Sequence, residues 1–91
     1  MKTRARLLIT GKVQGVFFRS STMAKAKLYG LSGWVRNLPE GGVEAVAEGQ
    51  REDIEKFIEF CKEGPPGSSV ENVEVSWEMP THKHKGFGIR A

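Results

Sequence analysis

The sequence predicts an α+β fold, a single antiparallel sheet with two helices on one face and a short strand at the C-terminal end. Three observations carry this expectation. Apolar runs of strand type and two helical patterns follow one another as strand, helix, strand, strand, helix, strand. Firm turn signals separate them, above all Pro39-Glu40-Gly41-Gly42 and Gly64-Pro65-Pro66-Gly67. At 91 residues the chain has room for one domain, spanning 1–91, in which every element shares one core. That order is the split βαβ, or ferredoxin-like, arrangement.

Arg4 to Thr10 reads as the first strand, and its apolar half, Leu7-Leu8-Ile9, suggests a central position. Ser20 or Ser21 can cap a helix that runs to about Tyr29, with Gly30 past its end to take a positive φ. Thr22, Ala26 and Tyr29 share one face of it. Leu31 to Leu38 and Val43 to Glu48 read as a hairpin of strands. From Glu52 to Glu63 the period becomes helical, with Ile54, Phe57, Ile58 and Cys61 on one stripe. Val70, Val73, Val75 and Trp77 mark a fourth strand, and Phe87 to Arg90 a short fifth. Right-handed crossovers make strands one and two parallel with strand three between them. The loop leaving strand one then meets the end of strand two, so Gln14 to Arg19 should lie close to Arg36, Asn37 and Leu38.

With 38% apolar and 27% charged residues, the composition is that of an ordinary soluble protein. A formal charge of +3 suits an anionic ligand but is too small to distinguish one from nucleic acid. Cys61 is alone, so it has no internal disulfide partner. The apolar run in MKTRARLLIT is shorter than the ~7 to 15 residues of a signal-peptide core, and nothing approaches the ~18 needed to span a membrane. A soluble, cytoplasmic protein is expected, with a monomer as the default.

The loop Gly11-Lys12-Val13-Gln14-Gly15-Val16-Phe17-Phe18-Arg19 enters a helix N-terminus, where backbone N–H groups lack intrahelical partners and the dipole favours an anion. Gly15 permits a close bend, Val16, Phe17 and Phe18 can anchor the loop, and Arg19 can clamp a phosphate. Each element also has a purely structural role open to it, as turn, cap or surface cation. Asn37 can be a simple turn residue, or it can orient a water beside a bound phosphate. Asp53 is the only aspartate, which argues against a paired-aspartate centre or a carboxylate metal cage. A cysteine phosphatase needs an arginine six residues past its nucleophile, where this chain has Gly67, and Cys61 sits on an apolar helix stripe. His82 and His84 read as loop histidines. What remains suits an undemanding leaving group. An acyl phosphate departs as a carboxylate whose conjugate acid has a pKa near ~4 to 5, so it needs no general acid.

The stretch Gly11 to Arg19 closely resembles the acylphosphatase signature G-x-V-Q-G-V-x-F-R, and Gly33-Trp34-Val35-Arg36-Asn37 resembles that family's G-W-V-x-N. The likeness continues through Gly41-x-Val43-Glu44, Glu63 to Pro66 and Gly86-Phe87-x-Ile89-Arg90, and so covers essentially the whole chain. It implies a hydrolase, without metal or other cofactor, that splits acyl phosphates into carboxylate and inorganic phosphate. Arg19 would bind the phosphoryl oxygens, Asn37 would orient the attacking water, and the amides of Gln14, Gly15, Val16, Phe17 and Phe18 would complete the cradle. Phe17 stands at a variable position where many relatives carry glycine. The carboxylate of Ala91 is a further candidate, to hold Arg19 in its working rotamer.

Two alternatives accompany this reading. One is an inactive relative that only binds phosphate. The other is an RRM-like nucleic-acid-binding module, since Lys85-Gly86-Phe87-Gly88 matches the opening of RNP1. That motif belongs on a third strand, whereas here only Ile89, Arg90 and Ala91 follow it. No nucleic-acid or membrane partner is expected.

Overall fold

A computed structural model describes residues 1–91. The elements are β1 (Lys2–Lys12), α1 (Phe18–Leu28), β2 (Ser32–Asn37), β3 (Val43–Gln50), α2 (Arg51–Glu63), β4 (Ser69–Glu78) and β5 (Phe87–Ile89). The sheet order is β4-β1-β3-β2-β5, so β3 lies between β1 and β2 as right-handed crossovers require. No helix is long and apolar enough to cross a membrane.

The period-2 alternation of strands sorts the sheet into two faces. Ala5, Leu7 and Ile9 of β1, Val35 of β2, and Val43, Ala45 and Ala47 of β3 form the helix-side core. Ile54, Phe57, Ile58 and Cys61 of α2 close over it, as their spacing predicts. From α1 come Phe18, Thr22 and Ala26, with Tyr29 packed against the margin. Phe87 anchors β5 by a tilted contact with Phe57, ring centroids 5.8 Å apart. Burial pushes the Cys61 thiol well above its ordinary value, which leaves it protonated and inert.

Two expectations are corrected. The sheet is mixed rather than antiparallel throughout, because β5 runs parallel to β2 in the register Gly33↔Phe87, Trp34↔Gly88, Val35↔Ile89. The cause is the segment 79–86. It carries the chain from one sheet edge to the other, about 19 Å across four strand spacings, and reverses its direction. Nor do Ser20 and Ser21 cap α1. The helix begins earlier, at Phe18, with no side-chain cap, because Phe18 enters the core and draws the first turn down with it.

The helix-free face is built from paired charges. Arg6 binds Glu44 at 2.6 Å and Glu78 at 3.2 Å, Arg36 binds Glu44 at 2.7 Å, and Arg4 binds Glu78 at 2.8 Å. Trp34 lies among the guanidinium groups of Arg90, Arg36 and Arg6, at 4.6, 5.7 and 6.0 Å. Glu48 accepts the backbone N–H groups of Thr81 and His82 at 2.9 and 2.6 Å, which pins the crossing segment. Charges and Trp34 on this face, with the apolar core on the other, explain why β3 is buried from Val43 to Gly49 despite imperfect alternation.

Burial opposes ionisation of Glu44 and Glu48, but hydrogen bonds outweigh it and hold both carboxyls below their usual value. The donors are Arg36 and Arg6 for Glu44, and the Thr81 and His82 amides for Glu48. The Arg4 hydrogen bond dominates at Glu78, with the same result. Depressed folded-state values mean that the stabilisation is complete above the unfolded glutamate pKa of about 4.3 and is lost as pH falls through the lower folded values. Melting temperature is therefore expected to be level above about pH 5.5 and to drop progressively below about pH 4.3. Glu44→Gln should lower the plateau and flatten the acid slope; parallel melting curves for both proteins in that range would contradict the assignment.

Candidate active site

The loop between β1 and α1 is shaped by its two ends. Val13 and Phe18, each 1% exposed, sink into the core, while Val16 packs at its margin. The backbone between them must turn sharply, and it does so at Gly15 with φ 76° and Phe17 with φ 59°. Glycine takes the left-handed region freely, whereas phenylalanine there costs roughly 1 kcal/mol. That backbone geometry gives a physical reason for glycine to suit position 17. Phe17 does not help to anchor the loop. Its ring points outward and is 83% exposed.

The turn leaves donors open. From Gln14 through Ser20, no backbone N–H has a hydrogen-bond partner within the protein, and the first bond of the helix runs from Ser21 N–H to Phe17 O at 3.0 Å. These donors collect at the positive end of the α1 dipole. The charge pattern suits an anionic ligand. The first turn of α2 carries Glu52 and Asp53, the usual complement to a helix N-terminus, whereas that of α1 has no acid and contains Arg19.

The expected meeting with β2 occurs. Gln14 Nε2 donates to the carbonyls of Leu38 and Gly42, both at 2.8 Å, and so latches the loop to the β2–β3 hairpin. Gln14 therefore serves the loop as a side-chain strut, and only its N–H is left open to a ligand. Alternation turns Arg36 to the helix-free face, where Glu44 holds it, and Asn37 to the helix side with Val35. Four residues earlier on β2, Gly33 permits a close approach to β3, since a Cβ there would lie 1.9 Å from Val46 O.

A cavity of about 280 Å³ results, lined by Gly15, Phe17, Arg19, Ser20, Asn37 and Ile89 over a floor of Val13 and Phe18. Asn37 lines this cavity, and its Oδ1 is buried without a hydrogen-bond partner in the protein. Arg19 makes no hydrogen bond or ion pair with the protein; the ion pairs all lie elsewhere. The Ala91 carboxylate thus does not hold Arg19 in this structure. The chain end is instead directed by Arg90, whose N–H donates to Val35 O at 2.8 Å and whose guanidinium stacks on Trp34. A larger groove of about 750 Å³ crosses the outer surfaces of the helices near Lys25, Lys56 and Glu59. It is open and contains none of the loop donors, so the smaller cavity is the chemical candidate. Val13, Ser20 and Ile89 are lining residues to which sequence reasoning assigned no place in the site; the parallel pairing of Ile89 opposite Val35, the feature that brings it there, had no local signal.

The fold and cavity define a small ferredoxin-like protein with a loop of unpaired backbone N–H donors at a helix N-terminus. The acylphosphatase family profile matches residues 5–89. An acylphosphatase of Pelotomaculum thermopropionicum is 47% identical over 88 residues, covering 97% of this chain and 96% of the relative. Among solved structures, an acylphosphatase from Coxiella burnetii superposes with a TM-score of 0.91 at 43% identity, over 98% of this chain and 93% of that one. One from Bacillus subtilis gives 0.94 at 35% identity, over the full length of both. The chain belongs to the acylphosphatase family, and is a hydrolase acting on the anhydride bond of acyl phosphates.

The latch has a measurable consequence. Gln14→Ala removes both hydrogen bonds and is expected to cost about 1–2 kcal/mol of stability, read as a lower urea midpoint at unchanged m. Activity should fall as well, because the loop then drifts from Asn37. A variant with wild-type stability and activity would show that the latch does not position the loop.

Proposed function

We propose that the cavity hydrolyses acyl phosphates with Arg19, Asn37 and the loop N–H groups as its working parts and with no metal or other cofactor. The observation that carries this reading is that Asn37, whose buried Oδ1 has no partner, lines one cavity with Arg19, whose guanidinium is uncommitted. The phosphoryl oxygens accept from the N–H groups of Gln14, Gly15, Val16, Phe17 and Phe18 and from Arg19. These preset donors match the charge spread over the phosphoryl group in the transition state. The Asn37 carboxamide orients a water by hydrogen bonding, so that the water oxygen is aimed at phosphorus. The water O–P bond forms as the bond from phosphorus to the carboxylate oxygen breaks. The water's proton passes to a phosphoryl oxygen and then to solvent, and inorganic phosphate leaves. The carboxylate departs unprotonated, so no general acid is needed.

In this reading residues 1–91 act as one domain, a cytoplasmic monomer with acyl phosphates and inorganic phosphate as its only ligands. It is favoured over nucleic-acid binding by the character of the helix-free face. An RRM needs exposed aromatic rings there, but Trp34 is 8% exposed beneath arginines, and Phe87 of the RNP1-like stretch is buried. It is favoured over an inactive phosphate binder by the orphaned Asn37 oxygen, which phosphate binding alone does not require.

Hydrolysis of benzoyl phosphate in EDTA is the direct test. Turnover is expected, and Arg19→Ala and Asn37→Ala, each of confirmed fold, should lower kcat/KM by roughly 10²- to 10⁴-fold. Arg19→Ala should also raise the inhibition constant of inorganic phosphate, whereas Asn37→Ala should leave it nearly unchanged. Wild-type activity in either variant would remove that residue from the mechanism; no turnover by folded wild type would refute the reading.

A further inference from the structure

Phe17 combines two features that fold stability does not favour. Its backbone sits in the left-handed region at φ 59°, which disfavours a large side chain, and its ring is 83% exposed, which wastes its apolar surface. Neither feature helps to close the core, because Val13 and Phe18 already do so. Strain of this kind at a cavity points to a role in ligand contact. Phe17 lines the same cavity as Arg19 and Asn37, with its exposed ring at that edge of the loop.

Ile89 supplies a second exposed apolar residue. It lies on β5, a separate element, yet reaches the same cavity and is 42% exposed. Val13 and Phe18 are sealed, so Phe17 and Ile89 present nearly all the accessible apolar side-chain surface at this site. The phosphoryl group is satisfied by N–H groups and Arg19, and it has no use for such surface. The other half of an acyl phosphate, the acyl group, does.

We propose that Phe17 and Ile89 form an apolar wall at the mouth of the cavity that selects acyl phosphates with an aromatic or bulky apolar acyl group over those with a small one. This rests on the reading of the cavity as the acyl phosphate site. An aromatic acyl ring stacks on Phe17 and packs against Ile89, losing water-exposed surface on both partners. An acetyl group is too short to cover either.

The test compares benzoyl phosphate with acetyl phosphate in wild type, Phe17→Gly, Phe17→Leu and Ile89→Ala. The readout is the ratio of the two kcat/KM values, and comparing that ratio between proteins cancels the intrinsic reactivity of each substrate. The ratio is expected to fall roughly tenfold in Phe17→Gly, less in Phe17→Leu, and about threefold in Ile89→Ala, chiefly through KM for benzoyl phosphate. Phe17→Gly suits the existing φ, and Ile89→Ala leaves the loop untouched, so a folding defect shared by both is not expected. A ratio unmoved in Phe17→Gly and Ile89→Ala, with both substrates still turned over, overturns the wall alone. The wall is equally overturned if both substrates weaken to the same degree while the inhibition constant of inorganic phosphate rises, since that marks damage to the cradle. If wild type hydrolyses neither substrate, the parent reading falls and the wall with it.

Discussion

The candidate site depends on a length of backbone that leaves its strand without closing its own hydrogen bonds. Val13 and Phe18 are fixed in the core, and the residues between them must bend through Gly15 and Phe17 to connect those two points. The bend points N–H groups toward solvent rather than toward carbonyls. Because water can satisfy them in the open loop, the cradle by itself carries little desolvation cost. Their directions are nevertheless set by the buried anchors, so an anion arriving there would meet donors that need little reorganisation.

The sheet supplies the second half of the arrangement. Gln14 ties the loop to the carbonyls at Leu38 and Gly42, and the same hairpin carries Asn37. One residue earlier, Arg36 is clamped to Glu44 on the opposite face. The charged lattice thus does more than cover a face that lacks helices. It fixes the rotation of β2, and with it the direction in which Asn37 projects. Glu44 also binds Arg6 of β1, so the strands that lead into the loop and into Asn37 share one carboxylate.

The two helices start in contrasting ways. α2 follows β3 without a loop, from an extended Gln50 at φ −68° and ψ 140°, and has acids in its first turn. α1 starts from a left-handed Phe17 and places a cation where the dipole disfavours one. The first arrangement is complete within the chain. The second would become favourable with an anion between the N–H groups and Arg19, which is why α1 rather than α2 carries the candidate site.

Local patterns made most of this legible. Alternation and helical spacing identified every element, and the glycines with the Pro-rich turns separated them, because these signals arise from contacts a few residues apart. Handedness then brought Gln14 to Arg19 toward Asn37 without reference to any side-chain contact. The helix start was misread because a serine cap is a local preference, and burial of Phe18 overrode it. The parallel seat of β5, the inclusion of Ile89, the Gln14 latch, the outward turn of Phe17 and the absence of an Ala91 link to Arg19 were not written in any short stretch. They depend on where distant segments come to rest: the crossing of 79–86 held by Glu48, and a loop suspended between two buried anchors. Sequence by itself determined which groups are available for chemistry; only the tertiary structure decided which of them face one cavity, because that is set by packing between residues far apart in the chain.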